Sequence, residues 1–302
     1  MHGIIAVNGK MYDPQSAAIP AMDRGFLFGD NVFEVLVAFK NKILDIDRHL
    51  NRLRVSAEQL NLPVHWSNEE LSFELHSIAE KLNLKKMYLR LVITRGVGVG
   101  LEFPIETQAH KIIYAFPAKS VPENLQQKGM WLQLRQLPHT ERGPSVKTGN
   151  YLRSILALNN AQGKGFDDVI WCNSESEITE STTANLFFIG RHGDLVEIST
   201  PSLRSGILKG ITRETILTLL NSAKIPAREL IVYKDELPRF DEAFCCSTVK
   251  GLIPITKIDK HQLHTLRANS TFRHINRLFQ TWVASEIGHY VDWNTGDKIK
   301  DL

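Results

Sequence analysis

Between Phe116 and Met130 the chain loses its hydrophobic rhythm. Residues 117–129, Pro-Ala-Lys-Ser-Val-Pro-Glu-Asn-Leu-Gln-Gln-Lys-Gly, are polar, hold two prolines and keep neither the period of a strand nor that of a helix. Such a segment between two apolar strands divides the 302 residues into two domains of ordinary size. The division expected is a small α+β domain over residues 1–117, a linker over 118–129 and a larger domain over 130–302. Composition enters mainly through what it excludes. With 43% hydrophobic and 23% charged residues the chain can bury a core, so disorder is not its main state. A net charge of +3 without long runs of like charge gives no footprint for nucleic acid. Apolar runs such as Val35 to Phe39 fall far short of the ~20 residues a membrane helix needs. The N-terminus shows no basic stretch followed by an apolar one, so a cytoplasmic location is expected. Cys172, Cys245 and Cys246 read as reduced core thiols, with no metal implied.

The periods place the elements. Ile4 to Val7, the turn signal Asn8-Gly9, and Lys10 to Tyr12 predict an opening hairpin. Residues 32–39 and 43–46 predict a second. Leu50, Leu53, Ala57 and Leu60, then Leu71, Leu75, Ile78 and Leu82, recur at helical spacing and predict two amphipathic helices. Strands at 87–94 and 111–116 complete the first domain. In the second, the pattern predicts strands at 130–137, 168–172, 186–189, 230–233 and 242–246. Helices are expected near 150–161, 212–222 and 271–285, and a hairpin turn at Arg191-His192-Gly193-Asp194.

Four segments carry polar chemistry where elements begin or end. Ser145-Val146-Lys147-Thr148-Gly149-Asn150-Tyr151 puts a lysine in a turn before a helix, where most lysines are simply solvated. Glu177-Ile178-Thr179-Glu180-Ser181-Thr182-Thr183-Ala184-Asn185 reads either as an exposed polar turn or as a polar group at the mouth of the buried strand that follows. In Ser205-Gly206-Ile207-Leu208-Lys209-Gly210-Ile211-Thr212-Arg213, a glycine precedes helix-start amides, which makes either an anion site or a plain cap. Cys246-Ser247-Thr248-Val249-Lys250-Gly251 sets two hydroxyls beside a glycine at a strand end and suits an anion or a mere turn.

Together with Arg24-Gly25-Phe26-Leu27-Phe28-Gly29-Asp30-Asn31-Val32-Phe33-Glu34 and Arg48-His49-Leu50-Asn51-Arg52-Leu53, these segments resemble the class IV aminotransferases, pyridoxal-phosphate enzymes of fold type IV. The likeness runs from about residue 3 to 258. It implies an α/β architecture, an α+β N-terminal domain with an α/β pseudo-barrel C-terminal domain, the cofactor lying between them and the chain pairing as a homodimer. Residue by residue it implies that Lys147 is the Schiff-base lysine and Glu180 the carboxylate on the pyridine nitrogen. Arg52, Ile211, Thr212 and Thr248 fall to the cofactor phosphate, Thr183 to the cofactor site, and Tyr151 to the vicinity of the phenolic oxygen. Phe33 and Val249 fall to the substrate side. These roles suit the chemistry. A carboxylate that keeps the ring nitrogen protonated makes the ring an electron sink, and a phosphate needs paired charge and oriented donors.

The substrate side separates the members. D-amino-acid aminotransferases of the family carry an Arg-x-His trap after a Thr-Arg-Gly segment. Here Thr94-Arg95-Gly96-Val97-Gly98-Val99-Gly100-Leu101-Glu102-Phe103-Pro104 has neither residue, and Phe33 replaces their substrate tyrosine. Aminodeoxychorismate lyases carry an arginine in that loop and a Thr-Thr pair where this chain has Glu34-Val35, although Ser247 to Pro254 resembles their version of that loop. Ser205 to Arg213 and Lys147 to Tyr151 resemble the branched-chain type. The expected reaction is therefore transfer of an amino group between a branched-chain-like or broader set of amino acids and a 2-oxo acid. Release of pyruvate and 4-aminobenzoate from aminodeoxychorismate is the alternative, and an inert pyridoxal-phosphate-binding protein a further one. Val35 and Val37 fit strand core or pocket lining.

Overall fold

The computed structural model describes residues 2–104, 108–137, 145–193 and 195–300. They divide into two compact units. Of the described residues, the first contains those within 1–119, 146–151 and 285–300, and the second those within 120–145 and 152–284.

In the first unit the chain runs β1 (Ile4–Val7), β2 (Lys10–Tyr12), α1 (Arg24–Phe28), β3 (Asn31–Phe39), β4 (Lys42–Ile43), α2 (Ile46–Gln59), α3 (Asn68–Leu82), β5 (Met87–Thr94) and β6 (His110–Pro117). The strands form one antiparallel sheet in the order β2-β1-β6-β5-β3-β4. Strand alternation gives this sheet two different faces. Val32, Leu36 and Ala38 of β3 and Leu89, Leu91 and Ile93 of β5 point to one side, where they share a core with Leu50, Leu53 and Ala57 of α2 and Leu71, Leu75 and Ile78 of α3. Each such leucine contributes roughly 1.5–3 kcal/mol on burial. Phe33, Val92 and Ile112 belong to the other face, with Val35, Tyr114 and Tyr151 packed against them. The capping box of Ser67 and Glu70 fixes the start of α3.

The second unit runs α4 (Glu123–Lys128), β7 (Met130–Gln136), α5 (Leu152–Gln162), β8 (Asp168–Cys172), β9 (Ile178–Ser181), β10 (Asn185–His192), β11 (Leu195–Pro201), α6 (Ile211–Ser222), β12 (Ala227–Leu230), β13 (Glu242–Ser247), β14 (Gly251–Ile258), β15 (His261–Gln262) and α7 (Thr271–Ile287). Its sheet has the order β12-β11-β10-β13-β14-β7-β8-β9, with β15 added to β14. The sheet curls until β9 returns to β10, and the Ser181 amide donates to the Ala184 carbonyl at 2.9 Å. This is the half-barrel of an α/β fold. Phe187 and Phe244 stack beneath it at 4.9 Å. All three cysteines are buried and free, and burial pushes the Cys245 thiol up to about 12.

Several expectations need correction. The second strand of the second hairpin ends at Ile43, because Asp45 takes a left-handed conformation (φ 52°) and Ile46 already opens α2. The segment expected to link the domains contains α4, which starts after Pro122 and stops at Gly129. Part of the supposed polar turn, Ile178–Ser181, is strand β9. The strand expected at 230–233 lies at Ala227–Leu230, where parallel pairing with β11 sets its register. Asp194 of the expected hairpin turn lies outside the described residues. Residues 285–300, read with the second domain, group with the first unit. There the Lys86 Nζ donates to the Trp293 carbonyl at 2.6 Å, the Trp293 ring lies 5.4 Å from that of Phe39, and Lys85 pairs with Asp297. Among the described residues no helix is long and apolar enough to cross a membrane.

Candidate active site

The residues singled out in the sequence fall into two sets, one in each unit. In the first, the strip from Val146 to Tyr151 lies along the start of β3. The Phe33 amide donates to the Lys147 carbonyl at 3.1 Å, and Val32 and Thr148 form an antiparallel bridge. Lys147 is half-buried, with its Nζ 4.6 Å from the centre of the Phe33 ring. Tyr151 meets the same ring edge-on at 5.7 Å. Phe33 itself is buried.

Sequence reasoning missed Arg90. Its guanidinium carbon lies 4.0 Å from the Phe33 ring centre, and β5 pairs it with Val35 on one side and Tyr114 on the other. Burial raises the pKa of Tyr114, against the pull of Arg90. An arginine among Phe33, Val92 and Ile112 on an apolar sheet face was the signal, and it stood in a strand read only for its hydrophobic alternation.

Arg52 projects from α2 toward Glu34, which the sequence reading used only to separate family members and gave no place in the site. Glu34 is fully buried on the helix-covered face of β3. Its two carboxylate oxygens accept from the Arg52 Nε and Nη2, both at 2.7 Å, and His49 lies 2.7 Å from Oε2. Burial opposes ionisation of Glu34, but the Arg52 charge and the hydrogen bonds from Arg52 and His49 outweigh it and hold the carboxyl down at about 2. Burial lowers the pKa of His49, despite the opposing pull of Glu34.

In the second unit Glu180 stands on β9, half-buried, and its Oε2 accepts from the Asn185 Nδ2 and the Leu208 amide, each at 3.0 Å. Asn185 also donates to the Leu208 carbonyl at 3.0 Å, so one buried amide ties the carboxylate to the chain leading into α6. Ile211 and Thr212 open that helix, both buried, and its N-cap Gly210 supplies no side-chain cap. A side chain at 210 would collide with Asn185, since a Cβ there would fall 1.9 Å from its Oδ1. Thr248 and Val249 occupy the half-buried turn between β13 and β14. Thr183 is exposed and accepts from Lys250 at 3.4 Å.

The model of the family described as amino-transferase class IV matches residues 31–258, which include every one of these groups. The chain belongs to the class IV aminotransferases. A Methanocaldococcus jannaschii protein provisionally named a branched-chain-amino-acid aminotransferase is 30% identical over 280 residues, covering 91% of this chain and 95% of its own. The D-alanine aminotransferase of Bacillus licheniformis is 26% identical over 93% of this chain and 98% of its own. The crystal structure of the Escherichia coli branched-chain amino acid aminotransferase superposes with a TM-score of 0.83 at 27% identity, over 92% of this chain and 93% of that one. Class IV aminotransferases depend on pyridoxal phosphate and act on amino acids and 2-oxo acids. The donor set fits that cofactor. A helix start without a side-chain cap suits a phosphate, a carboxylate braced by two N–H groups suits a ring nitrogen, and a half-buried lysine suits an aldehyde. Among the described residues no group of three or more His, Cys, Asp or Glu could hold a metal ion.

Proposed function

We propose that this aminotransferase prefers amino acids with apolar side chains of the branched-chain kind, and that Lys147 is its covalent attachment point for the cofactor. The observation that carries the reading is the Phe33 face. A primary amine and a guanidinium both lie over one aromatic ring, in a mainly apolar wall that includes Val35, Val92 and Ile112 beside the rings of Tyr114 and Tyr151. With the lysine taken up by the cofactor, a largely apolar wall that keeps one cation, Arg90, matches a substrate that has a single carboxylate and a hydrocarbon side chain. Bound pyridoxal phosphate supplies a ring that withdraws electrons from the substrate α-carbon. Lys147 then carries the proton that leaves that carbon, Glu180 holds the proton on the ring nitrogen, and Phe33 keeps water from the lysine. Arg52, braced by Glu34, would bind phosphate together with Ile211, Thr212 and Thr248. Tyr151 and Thr183 complete the cofactor contacts, and Val249 with Phe33 borders the substrate.

We further propose a cytoplasmic homodimer. Phe26, Val99, Leu101 and Phe103 of the first unit are 60–83% exposed, and such a collection of large apolar side chains suits burial against a second copy. A screen of amino donors against a 2-oxo acid acceptor tests the substrate reading. Leucine, isoleucine or valine should exceed alanine and aspartate by at least about tenfold in kcat/KM, the value of one or two methylenes in an apolar pocket. Preference for D-alanine, or pyruvate release from aminodeoxychorismate without an amino acceptor, would contradict it.

A further inference from the structure

Lys147 is anchored by more than its backbone hydrogen bonds. The entry into β3, from Gly29 to Asn31, and the turn after the lysine interlock through two glycine–asparagine pairs, arranged reciprocally. Gly29 lies against Asn150, so that a Cβ on residue 29 would fall 2.0 Å from the Asn150 Oδ1. Gly149 lies against Asn31, so that a Cβ on residue 149 would fall 2.8 Å from both the Oδ1 and the Nδ2 of that side chain. Each stretch thus supplies one glycine and one asparagine, and each asparagine fills the space left by the other stretch's missing side chain. Gly29 also needs its freedom for another reason, since it caps α1 in the left-handed conformation at φ 68°. Beyond the two pairs, on the lysine side, come the antiparallel bridge of Val32 with Thr148 and the bond from the Phe33 amide to the Lys147 carbonyl.

Hydrogen bonding does not account for Asn31. Its side chain is buried, its Oδ1 has no hydrogen-bond partner, and its Nδ2 reaches the Gly25 carbonyl only at 3.5 Å. A buried polar oxygen left unmatched costs free energy that a residue of similar shape without the oxygen would not. What the amide does supply is volume against Gly149.

We infer that Gly29, Asn31, Gly149 and Asn150 are positioning residues that clasp the lysine-bearing strip to β3 and so set where the Lys147 amine stands over Phe33. The inference rests on Lys147 being the attachment point for the cofactor. A lysine ends in a flexible four-carbon stem, so its amine is only as well placed as the backbone that carries it. Misplacement by about 1 Å can slow a covalent step by about 100-fold. Gly149→Ala pushes the strip away from Asn31, whereas adding Asn31→Ala removes the three side-chain atoms that a Cβ at 149 would meet.

The test uses the full-length protein stripped of cofactor and mixed with pyridoxal phosphate. Two quantities are followed: the rate of attachment, read by visible absorbance and by the mass of the borohydride-reduced Lys147 peptide, and the pH midpoint of the visible band. Gly149→Ala should attach cofactor at least about tenfold more slowly and shift the midpoint, while Asn31→Ala/Gly149→Ala should return within about threefold of wild type on both. Asn150→Ala adds no atom and should fold even if Gly149→Ala does not, and it should attach cofactor about three- to tenfold more slowly. A role in stability alone would lower the melting temperature and leave the midpoint where it is. Wild-type rates and midpoint in Gly149→Ala or Asn150→Ala, or a double variant no faster than Gly149→Ala, would overturn the clasp. Wild-type protein that attaches no cofactor at Lys147 would overturn the assignment of the lysine, and the clasp with it.

Discussion

Glu34 and Glu180 are both carboxylates held by hydrogen bonds, yet they are held in opposite ways. Glu34 lies in the core between β3 and α2 with none of its surface exposed, and its charge is met by a two-pronged Arg52 contact and by His49. Glu180 is half-buried at the returning edge of the half-barrel, and the Asn185 amide and Leu208 backbone that brace it carry no charge. Neutral donors aim a carboxylate without cancelling its charge, whereas a guanidinium aims and cancels together. The first glutamate is accordingly fitted to position Arg52, and the second, on the function proposed above, to act on a ligand. This contrast makes separable claims about stability and about rate.

The largest effect is expected from Glu34→Gln. Removing one partner of a buried ion pair costs about 3–5 kcal/mol, because the remaining charge stays buried without its counter-ion. Denaturant unfolding should show a loss of that order. A loss below 1 kcal/mol would mean that Glu34 is no more a structural charge than Glu180 is.

Acid should reproduce most of this loss. The carboxyl of Glu34 is depressed from its ordinary 4.5 to about 2, so the stability it supplies is complete above pH 4.5 and is lost as pH falls toward 2. The difference of roughly 2.5 units corresponds to about 3 kcal/mol. His49 acts in the same direction, since its lowered pKa keeps the folded form neutral at a pH where the unfolded chain takes up the proton. An unfolding series from pH 7 to 3 should therefore fall steeply for wild type and more gently for Glu34→Gln. Parallel curves would break the link.

The smallest change is expected at the phosphate. Arg52→Ala, and Thr212→Pro, which deletes a helix-start donor, should each raise the cofactor dissociation constant about tenfold or more, from contacts worth about 1.5–3 kcal/mol. If Glu34 works through Arg52, Glu34→Gln should weaken cofactor binding and Glu180→Gln should not. Equilibrium dialysis against pyridoxal phosphate distinguishes the two.

How far this contrast can be read in the sequence depends on the range of the interactions. Local signals served well. The Asn8-Gly9 turn and the helical periods of α2 and α3 depend on neighbours a few residues apart, and the structure has them where expected. Glu180 was legible as a polar residue before a buried strand, although its own strand was not, because β9 pairs with β8 through an irregular register. Glu34 was quoted but not weighed as a site residue, since a glutamate in Val-Phe-Glu-Val-Leu-Val gains meaning only once β3 packs on α2 with His49 and Arg52 facing it. Arg90 and Asn185 were hidden for the same reason. The C-terminal segment was misassigned because Lys86, Trp293 and Phe39 are brought together by packing alone, far apart in the chain.

Single-turnover mixing of Glu180→Gln with a good amino donor is the most direct test of the contrast. The substitution keeps the size and a hydrogen-bonding group and removes only the charge, so the variant should fold, retain cofactor and unfold within about 0.5 kcal/mol of wild type. Its first half-reaction should be slower by at least about 100-fold, equivalent to about 2.7 kcal/mol of barrier. A folded, cofactor-loaded Glu180→Gln protein that reacts at the wild-type rate would show that this charge does not serve the reaction, and the distinction between the two glutamates would fall.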